Sequence, residues 1–429
     1  MKVSVEELSG SKRAVTVEVS PDVVRPTVEG VYHKFSQRVA LPGFRRGKVP
    51  RDILERRFRD EIREEVIKEM IPTTYRQALE QSHLDPVSLP AVEEVSFEFG
   101  EPLRYRAVVE VKPVLEMKDY KGVTVSRKEV EVTDQEVEDH LKTLQEHAAE
   151  YVPLEGWPAL AGDRVIVDAQ GFLDGKPGKD LQVENFTLEL GAHQFLPGVD
   201  ERLAGVQKGE VRDVPVTFPS DDPRPDFRDR EIVFRFTVKE IKKKKTPPLD
   251  DTFAKAVGKG ETERELREKV REELLTQKEQ AEEQRLKWEV VEKIAAAQPF
   301  EVPEGLVRRE MERMLHELSY SVGADPERLE GDVSFRLKLE ESARKRVKNT
   351  LVLEAISKQE GIVAEPEDVE AEVQRLASAL NQKPDEVREH VSREGRMEAL
   401  TANLVQWKTL NFLFTQARIL DNYDLITIP

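Results

Sequence analysis

The chain has 429 residues, 35% charged and 38% apolar, with a formal net charge of −17 and no cysteine. That composition excludes a disordered chain, a disulfide scaffold, a thiol nucleophile and a cysteine zinc site, and the acidic balance argues against nucleic-acid binding by the whole molecule. With no apolar leader after Met1 and no apolar run of bilayer length, the sequence predicts a multidomain cytoplasmic protein with no membrane partner.

Val3, Val5, Val15, Val17 and Val19 alternate with polar residues around a turn at Ser9, Gly10 and Ser11, the pattern of a strand pair. Val24, Val28, Val31, Phe35 and Val39 then recur at helical spacing after the Ser20–Pro21 start. A loop at 42–50 breaks this helix, and Ile53, Leu54, Phe58, Ile62, Val66, Ile67 and Met70 form the stripe of the next. Pro86 and Pro90 mark loops before a strand expected over 103–117. Residues 1–112 thus read as one α+β domain. In the connector 113–150, Thr133 and Glu136 have the spacing of a capping box that starts a helix. Glycines, prolines and short β patterns fill 151–242, a β-rich domain, and the run 242–251 reads as a junction.

From about residue 252 the chain reads as helical. Thr262 and Glu265 repeat the capping-box spacing, and Leu266, Val270, Leu274, Leu286, Val290 and Ile294 line one face of a long helix. Further helices are expected at 304–322, 333–360, 365–381 and 384–420, punctuated by Pro326, Gly361, Pro366 and Pro384. Long helices with narrow apolar stripes can build either a bundle or an open, elongated arm assembly. The seven histidines, at 33, 83, 140, 147, 193, 316 and 390, have no metal-ligand spacing, and no phosphate-binding loop or nucleophile elbow is present. The sequence therefore predicts no metal, no cofactor and no use of ATP.

The loop itself is informative. Gly43 and Gly47 permit a tight turn, and Pro42 and Pro50 stiffen its ends. Between them stand Phe44, Arg45, Arg46 and Lys48, a cationic tip with an aromatic ring on an acidic protein. Exposed charges are screened beyond about 8 Å at physiological salt, so such a tip senses only its own neighbours. Either the ring folds back onto its helices, or it stands out beside guanidinium groups that can fork onto phosphates or carboxylates.

The segment GFRRGKVP, residues 43–50, resembles the ribosome-docking signature of the bacterial trigger factor family, and the resemblance extends along the chain. VSVEELSGSKRAVTVEV resembles that family's opening strands, VEVTDQEVEDHL its linker, residues 190–219 its FKBP-like prolyl isomerase domain, and FEVPEGLVRREMERML one arm of its chaperone domain. The resemblance implies a ribosome-binding domain over 1–112, a linker over 113–150 packed with the C-terminal domain, an FKBP-like domain over 151–242 and an elongated helical chaperone domain over 243–429. It implies that Gly43, Phe44, Arg45, Arg46, Gly47, Lys48 and Pro50 dock on a tunnel-exit ribosomal protein and adjoining rRNA, and that a homodimer forms off the ribosome. Neutralising about three phosphates would make log K fall with log[salt] at a slope of roughly −2.

The resemblance also implies peptidyl-prolyl isomerase activity in a pocket walled by aromatic rings. The barrier of about 18–20 kcal/mol comes from C–N resonance, so a dry apolar pocket that favours the twisted amide suffices. Several family aromatics are replaced here: by Ala169, by Gly178, by Val199 and by Asp222. Leu196 and Phe234 are carried over as pocket residues, and Phe186, Phe195 and Phe218 as core. Activity is accordingly expected to be weak or absent, with the domain serving as a further polypeptide-binding surface.

The function read from the sequence is ATP-independent holding of nascent polypeptides at the ribosomal exit, to assist folding and export. Met311, Met314, Leu315, Leu318, Phe412 and Phe414 are the candidate client contacts, each alternatively a bundle-core residue. The competing readings are a free FKBP-type isomerase whose helical domain only recruits substrate, and a ribosome-binding factor without clients.

Overall fold

A computed structural model describes residues 1–42, 44–45, 47–173, 175–192, 195–196, 198–218, 224, 227–228, 230–322, 331–393 and 396–421. Gly43, Arg46, His193, Asp222 and Pro326, all read above, lie outside the described residues. The chain divides into two compact units, one made of Met1–Glu129 and Glu282–Pro429, the other of Val130–Ala281.

The first unit opens with β1 (Lys2–Glu7) and β2 (Lys12–Val19), followed by α1 (Pro21–Arg38), α2 (Arg51–Ser82), β3 (Ala91–Ser96) and β4 (Leu103–Glu110). The strands form an antiparallel sheet in the order β1-β2-β4-β3. Strand alternation puts Val15, Val17 and Val19 with Leu103, Tyr105, Ala107 and Val109 on the buried face. Val24, Val28 and Val31 of α1 and Leu54, Ile62 and Val66 of α2 cover that face. The strand expected to reach residue 117 ends at Glu110, because Leu115 and Met117 pack on helices instead. A four-residue strand, β5 (Thr124–Arg127), precedes the second unit.

That unit starts with α3 (Asp134–His147), whose capping box is formed: Thr133 Oγ1 accepts from the Glu136 N–H, and the Thr133 N–H donates to Glu136 Oε2 at 2.9 Å. A five-stranded sheet follows from β6 (Glu150–Pro153), β7 (Arg164–Leu173), β8 (Lys176–Glu189), β9 (Val211–Thr217) and β10 (Glu231–Lys245), with α4 (Val199–Leu203) packed against its core. The order is β6-β10-β7-β8, and β9 pairs with β10. Lys242–Lys245, expected as part of a junction, instead end β10 and pair with Pro153–Glu150 of β6. After α5 (Asp251–Val257) comes α6 (Glu263–Ala297). Its Leu266 and Val270 pack with Val137 and Leu141 of α3 in this unit, whereas its Leu286, Val290 and Ile294 belong to the core of the other.

The first unit resumes with α7 (Glu304–Val322), α8 (Val333–Glu360), α9 (Pro366–Leu380), α10 (Pro384–Ser392), α11 (Arg396–Gln416) and β11 (Arg418–Asp421). The single helix expected over 384–420 is therefore two helices and a strand. β11 pairs in parallel with β5, and the far edge of β5 is closed by side chains of α6. Lys293 donates to the Thr124 carbonyl and Arg285 to the Ser126 carbonyl, both at 2.9 Å, and Glu282 accepts the Lys128 N–H at 2.8 Å. These bonds satisfy backbone groups that a bare strand edge would expose. Among the described residues no helix is long and apolar enough to cross a membrane.

Candidate functional site

The loop between α1 and α2 is seated at its base and open at its tip. Val49 is buried and Leu41 packs against the same core, while the Gly47 N–H donates to the Ser36 carbonyl at 2.8 Å. Gly47 has φ of +78°, which glycine adopts without strain. A turn is closed by the Lys48 N–H on the Arg45 carbonyl at 2.9 Å. With the base fixed, Phe44 is 39% exposed, and Arg45 and Lys48 are exposed with no ion pair among the described residues. Pro50 caps the start of α2. Arg51 behaves differently: it pairs with Glu29 at 2.6 Å and lies 4.4 Å over the Tyr32 ring. Arg51 is thus engaged within the domain, whereas Arg45 and Lys48 stand at the loop tip with no ion pair among the described residues.

In the second unit, β10 carries Ile232, Phe234 and Phe236 on one buried face. Phe234 lies opposite Gly171, and Phe236 opposite Ala169, on β7. Phe195 stands edge-on to both rings, at 5.7 and 5.8 Å, and Phe186 lies 5.4 Å from Phe195. Phe218 stacks near Phe234 at 6.3 Å and Phe227 at 5.7 Å. Phe218, Phe234 and Phe236 are buried, so Phe234 forms a floor, and Phe186, Phe195, Leu196 and Phe227 are half-buried above it. Phe186 and Phe195, expected in the core, pack against it while remaining half-buried. Ala169 and Val199 are buried, so they line the interior without offering rings. The result is an apolar, aromatic platform with no charged group required.

Nearby carboxylates are committed to cations. The Lys239 ammonium, at 2.8 Å, and the Asn185 N–H hold the Asp168 carboxyl below its ordinary range. The Arg235 guanidinium does the same for Asp213, at 2.7 Å. Neither is poised to exchange a proton near neutrality, which suits a reaction that rotates a bond without proton transfer.

On the helices, Met311 and Met314 are half-buried against Val307, Val347 and Leu351. Phe412 and Phe414 are half-buried against the α6 core, with Lys121 and Lys287 each 5.5 Å over their rings. Leu318 is half-buried, and Leu315 is buried, so Leu315 offers no surface in this conformation. Sequence periodicity missed the most exposed apolar side chains on α7 and α8: Tyr320, 90% exposed, with Val333 and Leu337. The available signal was their position off the apolar stripe. Phe227 and Phe236 were missed too; the period-two spacing of Phe234 and Phe236 marked the second, while Phe227 stands in a segment without periodicity.

The family model described as bacterial trigger factor protein matches residues 1–144, the model for its C-terminus matches 263–415, and the model for FKBP-type peptidyl-prolyl cis-trans isomerase matches 157–221. The trigger factor of Halothermothrix orenii is 35% identical over 96% of this chain and 98% of its own. That of Moorella thermoacetica is 38% identical over 97% and 95%, and that of Carboxydothermus hydrogenoformans 37% over 97% and 100%.

Proposed function

The chain belongs to the bacterial trigger factor family of chaperones with an FKBP-type domain, and from that premise we propose that it docks at the ribosomal peptide exit and holds nascent polypeptides there without ATP. The observation that carries the reading is the seated loop with its open tip. Phe44 presents an apolar ring to a ribosomal protein, and Arg45, Arg46 and Lys48 meet protein carboxylates or adjoining rRNA phosphates. Gly47, at positive φ, and Pro50, at the start of α2, keep the base of the loop tight. Clients lie on apolar side chains of the helical region, with Met311, Met314, Leu318, Phe412 and Phe414 joined by Tyr320 and Leu337. Leu315 contributes only if α7 shifts.

In this reading residues 1–112 form the ribosome-binding domain, 113–150 the linker, 151–242 the isomerase domain and 243–429 the chaperone domain. The protein works in the cytoplasm, partly on ribosomes, and pairs with a second copy when free. The aromatic platform binds prolyl segments and turns them over slowly, because Ala169, Gly178 and Val199 supply no ring. The experiment is co-sedimentation of the triple variant Phe44→Ala, Arg45→Ala, Arg46→Ala with ribosomes. Loss of pelleting is expected, and binding equal to the unmodified chain would remove docking from this loop. Suppression of client aggregation in the absence of ribosomes should be unchanged in the same variant.

A further inference from the structure

The four-stranded sheet of the first unit has two outer edges, and they are built differently. The β3 edge is interrupted: its register with β4 shifts between Glu93 and Ser96, and Glu94 takes a left-handed φ of +52°. Such a break keeps an edge from accepting another strand. The β1 edge has no break. Lys2–Glu7 pair with Glu18–Arg13 residue for residue, without bulge or proline, and all but Val3 are exposed.

The hairpin fixes where the free backbone groups of β1 point. The Leu8 N–H donates to the Lys12 carbonyl at 3.0 Å, and on the other side of β2 the Val111 N–H donates to the Ser11 carbonyl at 2.8 Å. Even-numbered residues of β2 therefore face β1, and its odd-numbered residues face β4. By strand alternation Lys2, Ser4 and Glu6 direct their backbone bonds to β2, while Val3, Val5 and Glu7 aim theirs outward. Among the described residues no strand pairs with that side.

This open row is complementary to itself. Turned about a two-fold axis at Ser4, a second β1 runs antiparallel to the first. Lys2 then stands opposite the partner's Glu6, Val3 opposite the partner's Val5, and Ser4 opposite the partner's Ser4. Each Val3–Val5 pair exchanges outward backbone bonds and extends the apolar layer of Val15 and Val17 across the axis. The Lys2 and Glu6 side chains, 86% and 70% exposed, can join across the axis while keeping their own pairs with Glu18 and Arg106. Sliding the strands by two residues either way sets Lys2 opposite Leu8 or Ser4 and matches no charges.

We propose that the β1 edge is the surface on which a second copy of this chain docks, by antiparallel pairing of the two β1 strands around Ser4 into one continuous sheet. The inference rests on the reading that the chain pairs with a second copy when free. One short strand per copy falls well below the roughly 1,600 Å² of a standard interface, so the pair is weak and parts readily.

The chain has no cysteine, so Ser4→Cys places a single thiol at the axis. Ser4 and its counterpart form a non-hydrogen-bonded pair in this register, with Cα atoms about 4.5 Å apart, within the span of a disulfide. Under mild oxidation the full-length Ser4→Cys chain should form a covalent dimer, and Glu93→Cys on the β3 edge should stay monomeric. Val5→Pro removes a bond from each valine pair and none from β2, so sedimentation velocity across a concentration series should show association weakened about tenfold or more. Lys2→Glu should also weaken association, and adding Glu6→Lys should restore it. Melting temperatures are measured in parallel; should Val5→Pro not fold, crosslinking and charge rescue decide. A folded Val5→Pro chain that dimerises like the unmodified one, a Ser4→Cys chain that does not crosslink, or a charge reversal that is not rescued would each overturn this surface while leaving self-association standing. Crosslinking of Ser4→Cys to a cysteine-bearing unfolded client in preference to itself would give the edge to extended polypeptide and overturn the proposal. An unmodified chain that stays monomeric at every concentration would overturn self-association itself, and this inference with it.

Discussion

Gly305, in the first turn of α7, donates its backbone N–H to Glu110 Oε2 at 2.7 Å, joining the helical part of the first unit to the last residue of β4. The approach is close: a Cβ on Gly305 would stand 2.5 Å from Ser88 Cβ and 2.9 Å from Glu110 Oε2. Gly305→Ala should therefore destabilise the first unit by about 1–3 kcal/mol, the cost of overpacking a close contact. Glu110→Ala, which removes only the acceptor, should cost about 1–2 kcal/mol. Urea unfolding monitored in both variants checks the order; equal stability of Gly305→Ala and the unmodified chain would show that the contact is slack.

In the proposed docking, the loop tip separates charge from apolar contact. Arg45→Ala should weaken ribosome binding and reduce the slope of log K against log[salt] by roughly 0.7–0.9, the share of one phosphate contact. Phe44→Ala should weaken binding without changing that slope. Affinities measured across a salt series distinguish the two, and a slope altered by Phe44→Ala would mean that the ring positions the cations.

The cap of α3 predicts an acid-sensitive step in the second unit. The Lys278 ammonium, with the Thr133 N–H and hydroxyl, holds the Glu136 carboxyl at about 2, below the usual 4.5. Because the folded value is depressed, the stabilisation is complete above about pH 4.5 and is lost as pH falls from 4.5 towards 2. Melting temperature should fall over that window, and Glu136→Gln should flatten the fall while lowering the melting temperature at neutral pH. A variant with the same pH profile as the unmodified chain would remove Glu136 from the acid response.

Exposed apolar side chains on α7 and α8 can be removed at little structural cost. Tyr320→Ser with Leu337→Ser should change stability by no more than about 0.5 kcal/mol per site, as is usual for exposed positions. The pair should reduce suppression of client aggregation several-fold. Full suppression by a folded double variant would place client contact elsewhere on the helices.

Much of this architecture was legible where periodicity and capping agreed. The alternating valines of β1 and β2, the stripes of α1 and α2 and the Thr133–Glu136 box each report a local rule, and each is found in place. The loop between α1 and α2 was legible as a loop because glycine, proline and charge cluster within a few residues. What was hidden depends on partners remote in sequence. β5 and β11 are four residues long and gain their pairing only from each other. Lys242–Lys245 read as a solvated charge run because a strand pairs through its backbone, whatever its side chains are. Thr262 also shows the limit of a motif: its hydroxyl accepts from the Glu265 N–H, but the Glu265 carboxylate reaches the Glu261 N–H and not that of Thr262.

The pairing of β5 with β11 imposes an order of events on the protein's own birth. Thr124 finds its strand partner in Arg418, so that small parallel sheet stays open until residue 418 has been made. Residues 130–281, which form a compact unit of their own, can settle earlier as they emerge. A chaperone of unfolded polypeptide thus passes through an unfinished state of its own, in which Met117, Tyr120 and Val125 await the following helices that cover them.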